Sequence, residues 1–74
     1  MEDPRTTPDV DLVIGSQLRA RREAIGLSPH ELAACCQCTA EDIIRYEAGS
    51  RALSPAQLQT LAILLEVPVG FFTG

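Results

Sequence analysis

Apolar residues along this chain recur at three- and four-residue intervals, and no segment alternates as a strand would. In the first part the inward stripe is Val13 or Ile14, Leu18 and Ile25, extended by the aliphatic stems of Arg21 and Arg22. A first helix is therefore expected from Asp11 or Leu12 to Ile25, with Gly26 as the residue that stops it. Ser28-Pro29-His30-Glu31 is a capping box with proline at the first helical position, so a second helix starts there and turns Leu32, Ala33 and Cys36 inward. Gln37 and Cys38 break that pattern, Thr39 can cap a third helix, and Ile43 and Tyr46 form its inward face. Gln37 stands where a turn prefers glycine, at a cost of up to ~1 kcal/mol if its φ is positive. Ala48-Gly49-Ser50 ends the third helix, and Arg51-Ala52-Leu53 leads to a second capping box, Ser54-Pro55-Ala56-Gln57. A fourth helix then runs to about Glu66 and buries Leu58, Leu61, Ala62 and Leu65. Pro68 resets the chain, and Val69 to Phe72 form a last short turn whose phenylalanines close the core. The fold class is all-α, a bundle of five short helices.

The link between the second and third helices is only about three residues long, which forces a steep crossing of the helix-turn-helix kind. One face of the third helix is thereby exposed, and it begins Ala40-Glu41-Asp42. A shape suited to DNA thus carries negative charge at its leading edge. Both carboxylates also have a local role, since acidic groups in a first helical turn stabilise the positive helix end by ~0.3–1 kcal/mol.

Composition sharpens this conflict. The net charge is −4, with ten carboxylates against six arginines and no lysine. The imbalance is uneven: residues 1–11 hold Glu2, Asp3, Asp9 and Asp11 against Arg5, whereas residues 12–74 hold five arginines against six carboxylates. Residues 1–10 are expected to be a flexible acidic arm and residues 11–74 a single domain. Phosphate contacts need local positive charge rather than a global excess, so acidity alone does not exclude DNA. No apolar stretch approaches the ~18–20 residues that span a bilayer, and the N-terminal residues lack a signal-peptide layout. The expected location is cytoplasmic, without a membrane partner.

Cys35, Cys36 and Cys38 lie too close together for an easy disulfide, and His30 is the only histidine. No metal site or cofactor is expected; Cys36 and Cys38 act as small apolar residues and Cys35 points elsewhere. The chain has no nucleophile–base cluster and no glycine-rich phosphate loop, so an enzyme is not expected.

The segments IGSQLRARREAIGLS, HELAACC, CTAEDIIRYEAGSR and LQTLAILLEVPVGFF fall at the spacing of a known family. Residues 14–72 closely resemble the lambda-repressor-like, Cro/C1-type (XRE) helix-turn-helix domain. The resemblance implies a five-helix DNA-binding domain, often dimeric, of the kind used by phage repressors and bacterial regulators. It also implies that Arg22 and Glu47 form a buried ion pair tying the first helix to the third. The base-reading positions it implies are Ala40, Glu41 and Arg45. Arg45 can take guanine O6 and N7, Glu41 can accept from cytosine N4, and Ala40 can meet a thymine methyl. Backbone contacts are expected from Ser28, from the amides of His30 and Glu31, from Ser50, and from Arg19, Arg21 and Arg51. Pro29 departs from the pattern, because many members carry a glutamine there that contacts the DNA backbone or a neighbouring recognition residue.

Ile63 and Leu64 lie where the fourth helix would normally be polar, and Val69, Phe71 and Phe72 are near in sequence. Leftover apolar surface of this kind predicts a twofold homodimer. The expected function is a sequence-specific transcriptional regulator that binds double-stranded DNA as a dimer, helix 39–48 in the major groove. The alternative is a helix-turn-helix-derived interaction module, an antirepressor or adaptor, whose partner is a polymerase subunit or a related regulator.

Overall fold

A computed structural model describes residues 10–73 of the chain. Among them are four α-helices and no strand: α1 (Val10–Ala24), α2 (Pro29–Cys36), α3 (Ala40–Glu47) and α4 (Pro55–Leu65). A 3-10 helix, Val69–Thr73, closes the fold. The expected arm lies outside the described residues except for Val10, which opens α1.

Three helices start with the same device. Ser28, Thr39 and Ser54 each accept a bond from the backbone N–H three residues on, and the side chain at that position accepts from the cap's own N–H. The reciprocal bonds satisfy two of the orphan donors at each helix start. The helix ends are equally local. Gly26 and Gly49 have φ of +79 and +77, and Gln37 and Glu66 adopt the same left-handed conformation at 59 and 61. Each lets the next residue bond back across the last turn, as Leu27 N–H does to the Arg22 carbonyl at 3.0 Å.

The core is built from Ile14 and Leu18 of α1, Leu32 and Ala33 of α2, Ile43 and Tyr46 of α3, and Leu61, Ala62 and Leu65 of α4, with Phe72 from the 3-10 helix. Helix α1 packs on α3 and on the 3-10 helix, while α2 lies between α3 and α4. The bond from Gln57 Nε2 to the Tyr46 hydroxyl, 3.0 Å, joins the start of α4 to α3.

Three expectations are corrected. The fifth helix is a five-residue 3-10 segment. Pro68 lacks an amide donor, and the Phe71 N–H closes on the Pro68 carbonyl at 2.9 Å in the tighter three-residue ring. Ile25 is 41% exposed rather than part of the buried stripe, because α1 ends at Ala24 and the chain reverses at Gly26. Leu27, beyond the reversal, packs against the core in its place. Phe72 is fully buried and so belongs to the core, not to a partner surface.

Candidate nucleic-acid interface

The α2–turn–α3 unit is set by its cap and its core anchors. Gln37 in the left-handed conformation reverses the chain, and the Cys38 N–H bonds back to the Ala33 carbonyl at 3.2 Å. Thr39 then restarts the helix, its Oγ1 accepting from the Asp42 N–H at 3.1 Å. Ile43 and Tyr46 are buried, which fixes the rotation of α3 and leaves Glu41, Ile44 and Arg45 exposed. Ala40 is half-buried beside them.

A second anchor is electrostatic. Arg22 Nε donates to Glu47 Oε2 at 2.6 Å, Nη2 to Oε1 at 3.1 Å, and Nη1 to the Leu27 carbonyl at 2.7 Å. Both side chains are under 10% exposed. The bidentate fork matches the carboxylate geometry, and the third acceptor engages another donor of the guanidinium. The hydrogen bond to Glu47 raises the Arg22 pKa, against the lowering effect of burial. Gly15 sits at the same junction. A Cβ there would approach the Glu47 carbonyl oxygen to 2.6 Å and clash with that of Tyr46, so α1 can meet the end of α3 this closely only without a side chain. The only sequence signal for this contact is a glycine inside a helical pattern, which costs about 1 kcal/mol relative to alanine.

The exposed face is internally paired. Arg45 Nη2 donates to Glu41 Oε2 at 2.9 Å, one turn back along α3. Arg51, in the loop after α3, donates through Nη1 to Asp42 Oδ1 at 2.7 Å, while Asp42 Oδ2 accepts from the Thr39 N–H at 3.2 Å. These contacts hold the Asp42 carboxyl below its usual pKa, the backbone bond from Thr39 contributing most and the Arg51 guanidinium adding to it. The Arg51–Asp42 bridge was not anticipated, because its partners are separated by a loop.

The expected backbone-contact residues are divided. Ser50 donates through its hydroxyl to the Arg45 carbonyl at 3.2 Å and so lies at the end of α3, and His30 is exposed in the first turn of α2. The Glu31 amide bonds to Ser28 Oγ at 3.1 Å, and the Glu31 carboxylate accepts from the Ser28 N–H at 2.7 Å. A side-chain anion thus already occupies the start of α2 where a phosphate was expected. Arg19 pairs with Glu23 at 3.1 Å on the surface of α1. Arg21 donates to the Leu65 carbonyl at 2.9 Å, where the last carbonyls of α4 attract a cation. Of the candidate partner surface, Ile63 and Val69 are 77% and 41% exposed, and Leu64 and Phe71 are half-buried.

Cys35 is exposed, and Cys36 and Cys38 pack against the core. Burial pushes the Cys36 thiol up to about 11, with its two neighbouring cysteines contributing. No group of three or more potential ligands is arranged to hold a metal among the described residues. Nor does any described helix have the length and apolarity to cross a membrane.

The profile of the helix-turn-helix domain matches residues 13–70, which include the four α-helices except the start of α1, and every buried core residue but Phe72. The chain belongs to the helix-turn-helix domain family. It is 32% identical over 72 residues to an uncharacterised HTH-type transcriptional regulator of Sinorhizobium medicae strain WSM419, covering 97% of this chain and 52% of that protein. Among solved structures, the restriction-modification controller protein C.AhdI of Aeromonas hydrophila superposes with a TM-score of 0.78 at 27% identity. That likeness covers 84% of this chain and 94% of C.AhdI. The cobalt(II) form of HppE in complex with substrate is similar at a TM-score of 0.82 and 26% identity, over 88% of this chain but 36% of HppE. The chain therefore spans about half the length of the regulator it matches and about a third of HppE. A further relative, 34% identical over 70 residues, is an uncharacterised transcriptional regulator in the ATPase CF(0) region of Rhodospirillum rubrum, and this chain covers 65% of its length.

Proposed function

We propose that this helix-turn-helix domain binds double-stranded DNA sequence-specifically, in the Cro/C1 manner, as the reading unit of a transcriptional regulator. The observation that carries this reading is the orientation of α3. Ile43, Tyr46 and the Arg22–Glu47 pair hold its inner side, and Glu41 and Arg45 stand outward, one turn apart. In the major groove such a helix directs Arg45 to guanine O6 and N7, Glu41 to cytosine N4 and Ala40 to a thymine methyl. Arg51, Ser50 and His30 flank it as backbone contacts, and Ser28 contributes only where its capping box with Glu31 opens. Arg19 and Arg21 contribute only by leaving Glu23 and the Leu65 carbonyl.

In this reading two copies associate through Ile63, Leu64, Val69 and Phe71, and present their α3 helices to half-sites about one helical turn of DNA apart. The exposure of Ile63 at 77% supports that surface. Selection from random duplexes at two salt concentrations tests the proposal. A defined motif is expected, with affinity falling as salt rises because phosphate contacts release counterions.

One observation favours a second reading. Both arginines at the exposed face are bonded to carboxylates of the same chain, at 2.9 and 2.7 Å. A surface neutralised in this way also suits a protein partner, either a related regulator or a polymerase subunit. Absence of any enriched motif, with capture of such a partner by this face, supports that reading instead.

A further inference from the structure

The Glu41–Arg45 contact has a shape that bears on which base pairs the proposed reading would prefer. Its nitrogen and oxygen are 2.9 Å apart, and both side chains are largely exposed. Within a G·C pair, guanine O6 and cytosine N4 are also separated by about 2.9 Å, the usual span of an N–H···O bond, and both face the major groove. The order of donor and acceptor is complementary. An Arg45 N–H can donate to guanine O6 while the second cytosine N4–H donates to a Glu41 oxygen, and the ion pair stays intact. The bond to Glu41 uses one donor of a five-donor guanidinium, so the fork can extend to guanine N7 as well.

We propose, resting on the DNA-binding reading above, that Glu41 and Arg45 act as one unit that recognises a single G·C pair in the major groove. A·T fits this unit less well. Thymine O4 and adenine N6 present the same acceptor and donor at the same spacing, but thymine gives the arginine that one acceptor beside a bulky methyl, whereas guanine offers O6 and N7 together. Elsewhere on the duplex the unit meets phosphates with a neutral pair in place of a bare arginine, and Asp42 does the same to Arg51. Charge that would otherwise hold any DNA is thus kept for sites where the base edge accepts the pair whole.

The test compares the chain with Glu41→Gln and Arg45→Ala in the same duplex selection and in anisotropy titrations on the selected site. Wild type is expected to enrich a motif with one fixed G·C pair that both substitutions relax. Glu41→Gln should cost about ten-fold in discrimination at that pair, the scale of one good base contact, and move the preference towards adenine. Binding of Glu41→Gln to unrelated duplex should rise, and its salt slope should steepen by about one phosphate contact. If wild type enriches a motif but Glu41→Gln leaves every position unchanged, the paired reader is overturned and DNA binding stands. If neither protein binds any duplex at low salt, both readings fail together. Glu41 and Arg45 are exposed, so folding of both variants is expected to match wild type by circular dichroism.

Discussion

At the scale of single residues, the strongest commitment is Arg22. Its guanidinium makes three bonds, two to Glu47 and one to the Leu27 carbonyl, inside a region nearly closed to water. Arg22→Ala removes the partner of a buried carboxylate and is expected to lower stability by about 3–5 kcal/mol, read as a loss of denaturant midpoint at unchanged m-value. Family resemblance anticipated the Glu47 half of this contact. The Leu27 half was not legible, because the direction of a backbone carbonyl beyond a helix end depends on how the chain reverses. The same contrast holds on the exposed face. Glu41 and Arg45 are four apart on one helix, a spacing at which opposite charges meet. Asp42 and Arg51 meet only because the loop after α3 folds back, and nothing in their nine-residue separation announces it.

At the scale of elements, the helix boundaries were written locally. Ser28, Thr39 and Ser54 start helices through bonds to residues three positions on, so the cap and its partner are visible together in the sequence. Gln37 takes the left-handed turn anticipated for it, without the glycine that would make the conformation easy. Packing between elements was less legible. Gly15 is the point at which α1 presses on the carbonyls ending α3, and that close approach sets the separation of the two helices. Gly15→Ala raises helix propensity yet inserts a methyl where backbone already stands. The clash is expected to win, with a net loss of about 1–3 kcal/mol by thermal or chemical unfolding. A gain in stability from this substitution would show that α1 and α3 can part without cost.

At the scale of the whole molecule, the distribution of apolar surface matters most. Ile63 stands 77% exposed on α4, while Phe72, nearby in sequence, is fully inside. In the proposed dimer Ile63 lies at the seam, so Ile63→Glu is expected to give a monomer in sedimentation with stability within about 0.5 kcal/mol of a monomeric reference. A wild-type chain that sediments as a monomer at micromolar concentration removes the dimer from the proposal. The sequence by itself determined the all-α class, three helix starts, the stops at Gly26 and Gly49, and the inward faces of α2 and α3. Each of these follows from hydrogen bonds or periodicity within a few residues. Only the tertiary structure decided between neighbours that satisfy the local pattern equally well: Leu27 over Ile25, Phe72 over Val69, and the Asp42 carboxylate over a free guanidinium for Arg51. Those choices depend on which surfaces the assembled helices bring together, and no local spacing contains that information.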